Sequence, residues 1–177
     1  MRRRNIRRRL HKNKRTKGMH PNAELVTRFY DAFKDKDYRT MQACYHDEAE
    51  FQDEVFTLKG KEIGAMWHML CERGADLSLH YHHVEADEQR GSARWRAGYT
   101  FSTTGRYVLN KLRAEFEFKD GKIYRHRDRF DFWRWSRHAL GVPGWALGWS
   151  QMLRDKVQAT ADRNLRRFIE GNPEYKE

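Results

Sequence analysis

Residues 77–135 read LSLHYHHVEADEQRGSARWRAGYTFSTTGRYVLNKLRAEFEFKDGKIYRHRDRFDFWRW. Turn signals at Asp87–Gly91, Thr104-Gly105 and Asp120-Gly121 cut this stretch into four runs rich in β-branched and aromatic residues, the pattern of an antiparallel meander. Successive strand side chains point to opposite faces, so parity sorts them. Trp95, Ala97, Tyr99 and Phe101 share one parity, and Leu112, Ala114, Phe116 and Phe118 share one on the next run. In the last run His126, Asp128 and Phe130 alternate with Arg125, Arg127 and Arg129. Arginines favour the wet face, which turns His126 and Asp128 inward with the aromatic wall.

Upstream, the period changes. From Asn22 to about Lys36, Leu25, Phe29, Ala32 and Phe33 recur at helical spacing behind a plausible N-cap at Asn22. A short helix fits Tyr38–Tyr45, and Ala49, Phe51, Asp53 and Val55 then share one parity of a strand. After Lys59-Gly60, Ile63, Met66, Trp67 and Leu70 form a third helical face that ends at Gly74. Downstream of the meander, 139–144 reads as a Gly/Pro loop, followed by an amphipathic helix over about 149–170 and stopped by Gly171 and Pro173. The expected fold class is α+β: three N-terminal helices packed on a mostly antiparallel sheet, plus a C-terminal amphipathic helix.

The 177 residues suit one domain, taken as 19–177. The formal charge of +11 is concentrated at the start, where residues 1–17 hold ten Lys or Arg and no acid, so the rest is nearly neutral. That run has too little apolar content to offset the entropy of ordering, and residues 1–18 are expected to be a disordered basic tail. Any nucleic-acid contact is expected only through it; a solubilising appendage ahead of a true start at Met19 is the alternative. No apolar run suggests a membrane span or a secretory signal, so the expectation is a cytoplasmic protein without a membrane partner. Cys44 and Cys71 read as buried reduced thiols. His80 and His82 share a strand side, yet no second cluster supplies further ligands at recognisable spacing, so no metal is assigned.

The order helix, short helix, strand, helix, meander resembles the nuclear transport factor 2-like superfamily, in particular its SnoaL-like and ketosteroid-isomerase-like members. The resemblance is carried by FYDAFKDKDYRTMQACYHDEAEFQD, ARWRAGYTFSTTGR, AEFEFKDGKI and HRDRFDFWRW, and spans about residues 22–135. It implies that the sheet curves into a cone-shaped barrel with a pocket for a small, mostly apolar molecule, worked without a cofactor. It also places Asp53 where ketosteroid isomerases carry their proton-abstracting aspartate. Their oxyanion tyrosine position is Phe29 here and their protonated-aspartate position is Ala114, so steroid isomerisation itself is not implied. Limonene-epoxide-hydrolase relatives use an Asp–Arg–Asp triad; here Arg96 lacks a carboxylate two residues on, and Arg113 and Glu115 fall on the outward parity.

The catalytic candidates are therefore Asp53, His126 and Asp128. A carboxylate flanked by Phe51 and Val55 loses hydration, which raises its pKa toward that of a general base. The competing role for Asp53 is a turn cap or an arginine partner, and for His126–Asp128 a structural hydrogen bond that closes the barrel. Trp95, Tyr99, Asn110, Phe116 and Phe29 are the expected ligand-binding residues. The expected function is an isomerase, cyclase, lyase or hydrolase using acid/base residues, with a non-catalytic binding or dimerisation module and an epoxide hydrolase as alternatives. A homodimer is expected, because an open sheet face and Trp133, Trp135, Trp145 and Trp149 exceed what one small cone can hide.

Overall fold

The computed structural model describes residues 18–176, so the basic tail expected at the N-terminus lies outside it except for Gly18. Helices α1 (Pro21–Lys34) and α2 (Tyr38–Ala43) open the chain, followed by strands β1 (Tyr45–Gln52) and β2 (Thr57–Lys59) and helix α3 (Lys61–Arg73). Four long strands come next: β3 (Ser78–Ala86), β4 (Arg90–Phe101), β5 (Arg106–Lys119) and β6 (Lys122–Phe130). The chain ends in helices α4 (Phe132–Leu140), α5 (Val142–Leu147) and α6 (Gln151–Gly171) and one 3-10 turn, Pro173–Tyr175.

All six strands join one curled, unclosed sheet in the order β2-β1-β6-β5-β4-β3. The meander is antiparallel, and β1 runs parallel to β6 with Phe51 beside His126. That pairing brings the far end of the meander to the first strand, and β3 remains as the outer edge. Phe29, Tyr30 and Phe33 of α1 and Met66 and Trp67 of α3 fill the concave side, each at most 3% exposed. Their rings meet mostly edge to face, as at Phe29–Trp67, 5.4 Å between centroids.

Two sequence expectations are corrected. The last strand stops at Phe130 and does not run on to Trp135. Asp131 caps a helix instead, its carboxylate accepting the Arg134 N–H at 2.9 Å. Phe132, Trp135, Ser136 and Ala139 then form one buried helical face, so an aromatic run that looked like alternation has a period nearer four. The expected Gly/Pro loop is mostly helical too. Gly141, at φ 67°, breaks α4 from α5, and a Cβ on Gly144 would overlap the Ser136 carbonyl, so glycine lets the two helices touch.

Strand β1 is likewise shorter than parity suggested, because the chain turns after Gln52. Helix α6 crosses back over this turn: Arg154 pairs with Glu54, and Gln158 Nε2 donates to the Glu54 carbonyl at 3.0 Å. At its other end Leu165 is buried, and Tyr175 accepts from or donates to His68 at 3.0 Å. The amphipathic stripe is thus spent on closing the open end of the cone.

Candidate active site

A cavity of about 580 Å³ lies between the concave sheet, α3 and α6, with α4 and the β4–β5 turn at its rim. Apolar side chains such as Phe33, Met66, Leu112, Phe130 and Val157 make most of its wall. Asp53, Asp128, Tyr99 and Asn110 bring polar groups to it. Its size and lining suit a small apolar molecule oriented by a few polar contacts.

Asp53 sits in the turn after β1, where it both caps the turn and faces the cavity. Its Oδ1 accepts the N–H of Val55 at 2.7 Å and of Phe56 at 2.6 Å, which caps the turn. The same carboxyl lines the cavity. Burial pushes its pKa up to about 7; the two backbone donors pull it down, and the nearby Asp128 adds to the rise. A carboxyl so placed exchanges a proton near neutrality.

Asp128 and His126 project inward from β6, while Arg125, Arg127 and Arg129 are exposed, as parity implies. Asp128 is 2% and His126 1% exposed. Trp95 Nε1–H donates to Asp128 Oδ1 at 3.0 Å, and His126 Nε2 stands 3.3 Å from the same oxygen. That second contact does not meet hydrogen-bond geometry, and Nε2 has no hydrogen-bond partner among the described residues.

On the other side of the imidazole, Tyr45 Oη lies 2.6 Å from His126 Nδ1 and accepts from Trp67 Nε1–H at 3.1 Å. The indole donates to the phenol oxygen, and the short Tyr45–His126 contact is a second hydrogen bond whose direction is set by the imidazole tautomer. A polar chain therefore runs Trp67, Tyr45, His126, Asp128, Trp95 from the core to the cavity wall. Burial raises the Tyr45 phenol well above its usual range, so its proton stays on oxygen. Tyr30, next to Phe29, is also fully buried near Asp128, with its hydroxyl unpaired among the described residues.

Of the expected ligand-binding residues, Trp95, Tyr99 and Asn110 line the cavity. Phe29 and Phe116 do not; they lie behind the wall with ring centroids 5.7 Å and 4.4 Å from His126, and so fix its imidazole. Tyr99 Oη accepts the Trp135 indole N–H at 2.9 Å, and burial followed by the Asp53 charge raises its pKa. Its own proton is then free to meet a ligand. Arg96, Arg113 and Glu115 are exposed on the far side of the sheet, away from Asp53 and Asp128, while Arg73 at the end of α3 reaches the cavity rim. Among the described residues no cluster of three or more His, Cys, Asp or Glu is arranged to hold a metal ion.

Sequence reasoning missed Tyr45 and Trp67. Tyr45 shares the parity of Ala49 and Phe51, and Trp67 lies on the apolar face of α3, but both read as ordinary core. Nothing local says that a phenol and an indole meet a histidine from the far end of the meander.

Helices filling the concave side of one unclosed sheet, with polar groups at the wall of an apolar cavity, define a cone-shaped α+β fold. The chain belongs to the SnoaL-like domain family of the nuclear transport factor 2-like superfamily, whose family model matches residues 26–126. Solved structures of similar fold include a limonene-epoxide-hydrolase-like epoxide hydrolase from Mycobacterium tuberculosis, 19% identical over 72% of this chain and 96% of that one, TM-score 0.58. TsrD from Streptomyces laurentii is 21% identical over 67% of this chain and 94% of its own, TM-score 0.58. TerC, co-crystallised with polyporic acid, is 19% identical over 63% and 92%, TM-score 0.54. No curated protein matches the sequence. At these identities the likeness is one of fold, which hosts unrelated chemistries.

Proposed function

We propose that the protein is a cofactor-independent acid/base enzyme, an isomerase, cyclase, lyase or hydrolase, acting on a small hydrophobic molecule. The observation that carries this reading is that two carboxyl groups, Asp53 and Asp128, face one apolar cavity, where burial pushes Asp53 up to about 7. Two carboxyls in unlike environments can divide the work. Asp53 takes or gives the proton at the substrate. Asp128, fed by Trp95 and by the His126–Tyr45 pair, balances charge that develops beside it, and Tyr99 donates to a substrate oxygen. The cavity stays open between the aromatics, which favours this reading over a plugged binding module; Arg96 and Arg113 face away from Asp53 and Asp128, which weighs against epoxide hydrolysis.

Turnover of steroid enones, terpene epoxides, polycyclic aromatics and aromatic polyketides by the full chain, beside Asp53→Asn, tests it. The variant should bind a substrate and fail to turn it over. Equal turnover by the variant would sink the assignment.

The protein also works as a homodimer in this proposal, with one difference from the sequence expectation. The outer sheet face is charged, so the apolar surface for a second copy is the ridge on α4–α6, where Val142 is 82%, Trp145 67%, Trp149 75% and Met152 66% exposed. Trp135, by contrast, is buried. Sedimentation as a monomer at micromolar concentration would count against the dimer.

A further inference from the structure

The outer face of the sheet carries rows of charge that differ from one end to the other. At one end Arg90, Glu117, Arg125, Glu50 and Lys59 stand side by side across β4, β5, β6, β1 and β2. The signs alternate and the row closes on itself: Arg125–Glu117 at 3.2 Å, Arg125–Glu50 at 3.3 Å and Lys59–Glu50 at 3.1 Å.

Toward the other end the same registers place His82, Arg94, Arg113 and Arg129 in one row across β3 to β6. The adjoining row holds His80, Arg96 and Lys111. All seven side chains are exposed, and none of the five Arg and Lys has an ion-pair partner among the described residues. Like charges directly opposite on neighbouring strands destabilise a sheet. This sequence pairs Arg125 and Lys59 with carboxylates in one row and sets Glu115 opposite Arg127 in the next, yet places no carboxylate in the rows of Arg94 and Arg96, so the cationic end is not a consequence of composition alone.

We infer that this end of the outer sheet face binds the phosphodiester backbone of a nucleic acid, independently of the N-terminal basic run. Strands about 4.8 Å apart put the three arginines of one row across roughly 10 Å, with the second row roughly 7 Å along the strands. The rows contain no large apolar side chain, so they lack the hydrophobic centre of a protein–protein interface and any platform for stacking bases beyond two histidines. What they offer is charge in a rigid array. A phosphate backbone is recognised by such an array and repays it with released counterions, and the planar guanidinium matches phosphate in a two-pronged geometry. Binding of this kind positions without reading sequence. It leaves the cavity free, because the cavity opens on the opposite face of the same strands.

The test uses the full chain and a mixed-sequence fluorescent oligonucleotide, single- and double-stranded, with anisotropy followed from about 50 to 200 mM salt. Replacing the ten Lys and Arg of residues 1–17 by Gln removes the competing basic run. That protein should still bind, and adding Arg94→Gln, Arg113→Gln and Arg129→Gln should lower the slope of log K against log salt by about two to three. Lys59→Gln with Arg125→Gln, both ion-paired in the first row, should leave the slope unchanged. Thermal melting checks the fold; should the triple variant be unfolded, Arg113→Gln alone should lower the slope by about one. Loss of all binding once residues 1–17 are neutralised would overturn the inference, as would an unchanged slope in the triple variant. Anionic phosphatidylglycerol vesicles or polyglutamate bound as tightly, with the same sensitivity to the three arginines, would overturn the assignment to nucleic acid.

Discussion

Polar residues on the two faces of strands β4–β6 obey opposite rules. In the single run Arg125-His126-Arg127-Asp128-Arg129, the inward pair is buried and engaged by Tyr45 and Trp95, while the outward arginines stand in water. Inside, an uncompensated polar group costs its full desolvation, so Asp128 and Tyr45 each recruit a partner. Outside, water screens charge, and a row of like charges costs the fold little. Polar residues on the inner face are therefore coupled to one another and to stability, whereas those on the outer face can be varied almost independently of the fold.

The comparison is sharpened most by activity. Asp53→Asn keeps an acceptor for the Val55 and Phe56 N–H groups, so the fold should survive while turnover drops roughly 10²–10⁴-fold, read as kcat at neutral pH. Next comes stability. His126→Ala strips Tyr45 and Asp128 of a neighbour and opens space in a packed aromatic cluster, and should cost roughly 2–5 kcal/mol in urea unfolding. A loss below about half a kcal/mol would break the claim that the inner face is coupled.

A pH series gives a third effect. Asp53 has a folded pKa near 7 against an ordinary 3.8, so between those values the native state holds a proton that the unfolded chain has released. Stability should fall as pH rises from about 4 to about 7, by up to about 4 kcal/mol from this group, and stay at that cost above it. Asp53→Asn should flatten the decline and melt higher than the parent at pH 8. An equal slope in both proteins would remove Asp53 from the account. Smallest is Arg113→Glu on the outer face, which sets opposite charges between Arg94 and Arg129 and should raise stability by about 0.2–1 kcal/mol, measured by thermal melting.

Much of this was legible in the chain. Period two with three turn signals gave the meander, and period 3.6 gave α1, α3 and α6, because each element must bury one face. Parity alone sorted His126 and Asp128 from the arginines that flank them. Asp53 was identified as a cavity carboxyl from its apolar neighbours, although the strand stops one residue before it. The aromatic run after Phe130 was misread because Phe132 and Trp135 satisfy a strand's composition, and only the cap at Asp131 tells the helix apart.

Resemblance to the superfamily implied the cone, while the sequence by itself determined which side chains face inward and the order of helices and strands. Local periodicity decides these, since it follows from backbone geometry that neighbouring residues already impose. Only the tertiary structure decided that Tyr45 and Trp67 meet His126, that Phe29 and Phe116 stand behind the wall, and that Arg94, Arg113 and Arg129 share a row. Those contacts depend on strand register and on the β1–β6 pairing between distant parts of the chain, which a hydrophobic pattern constrains to a face but not to a partner.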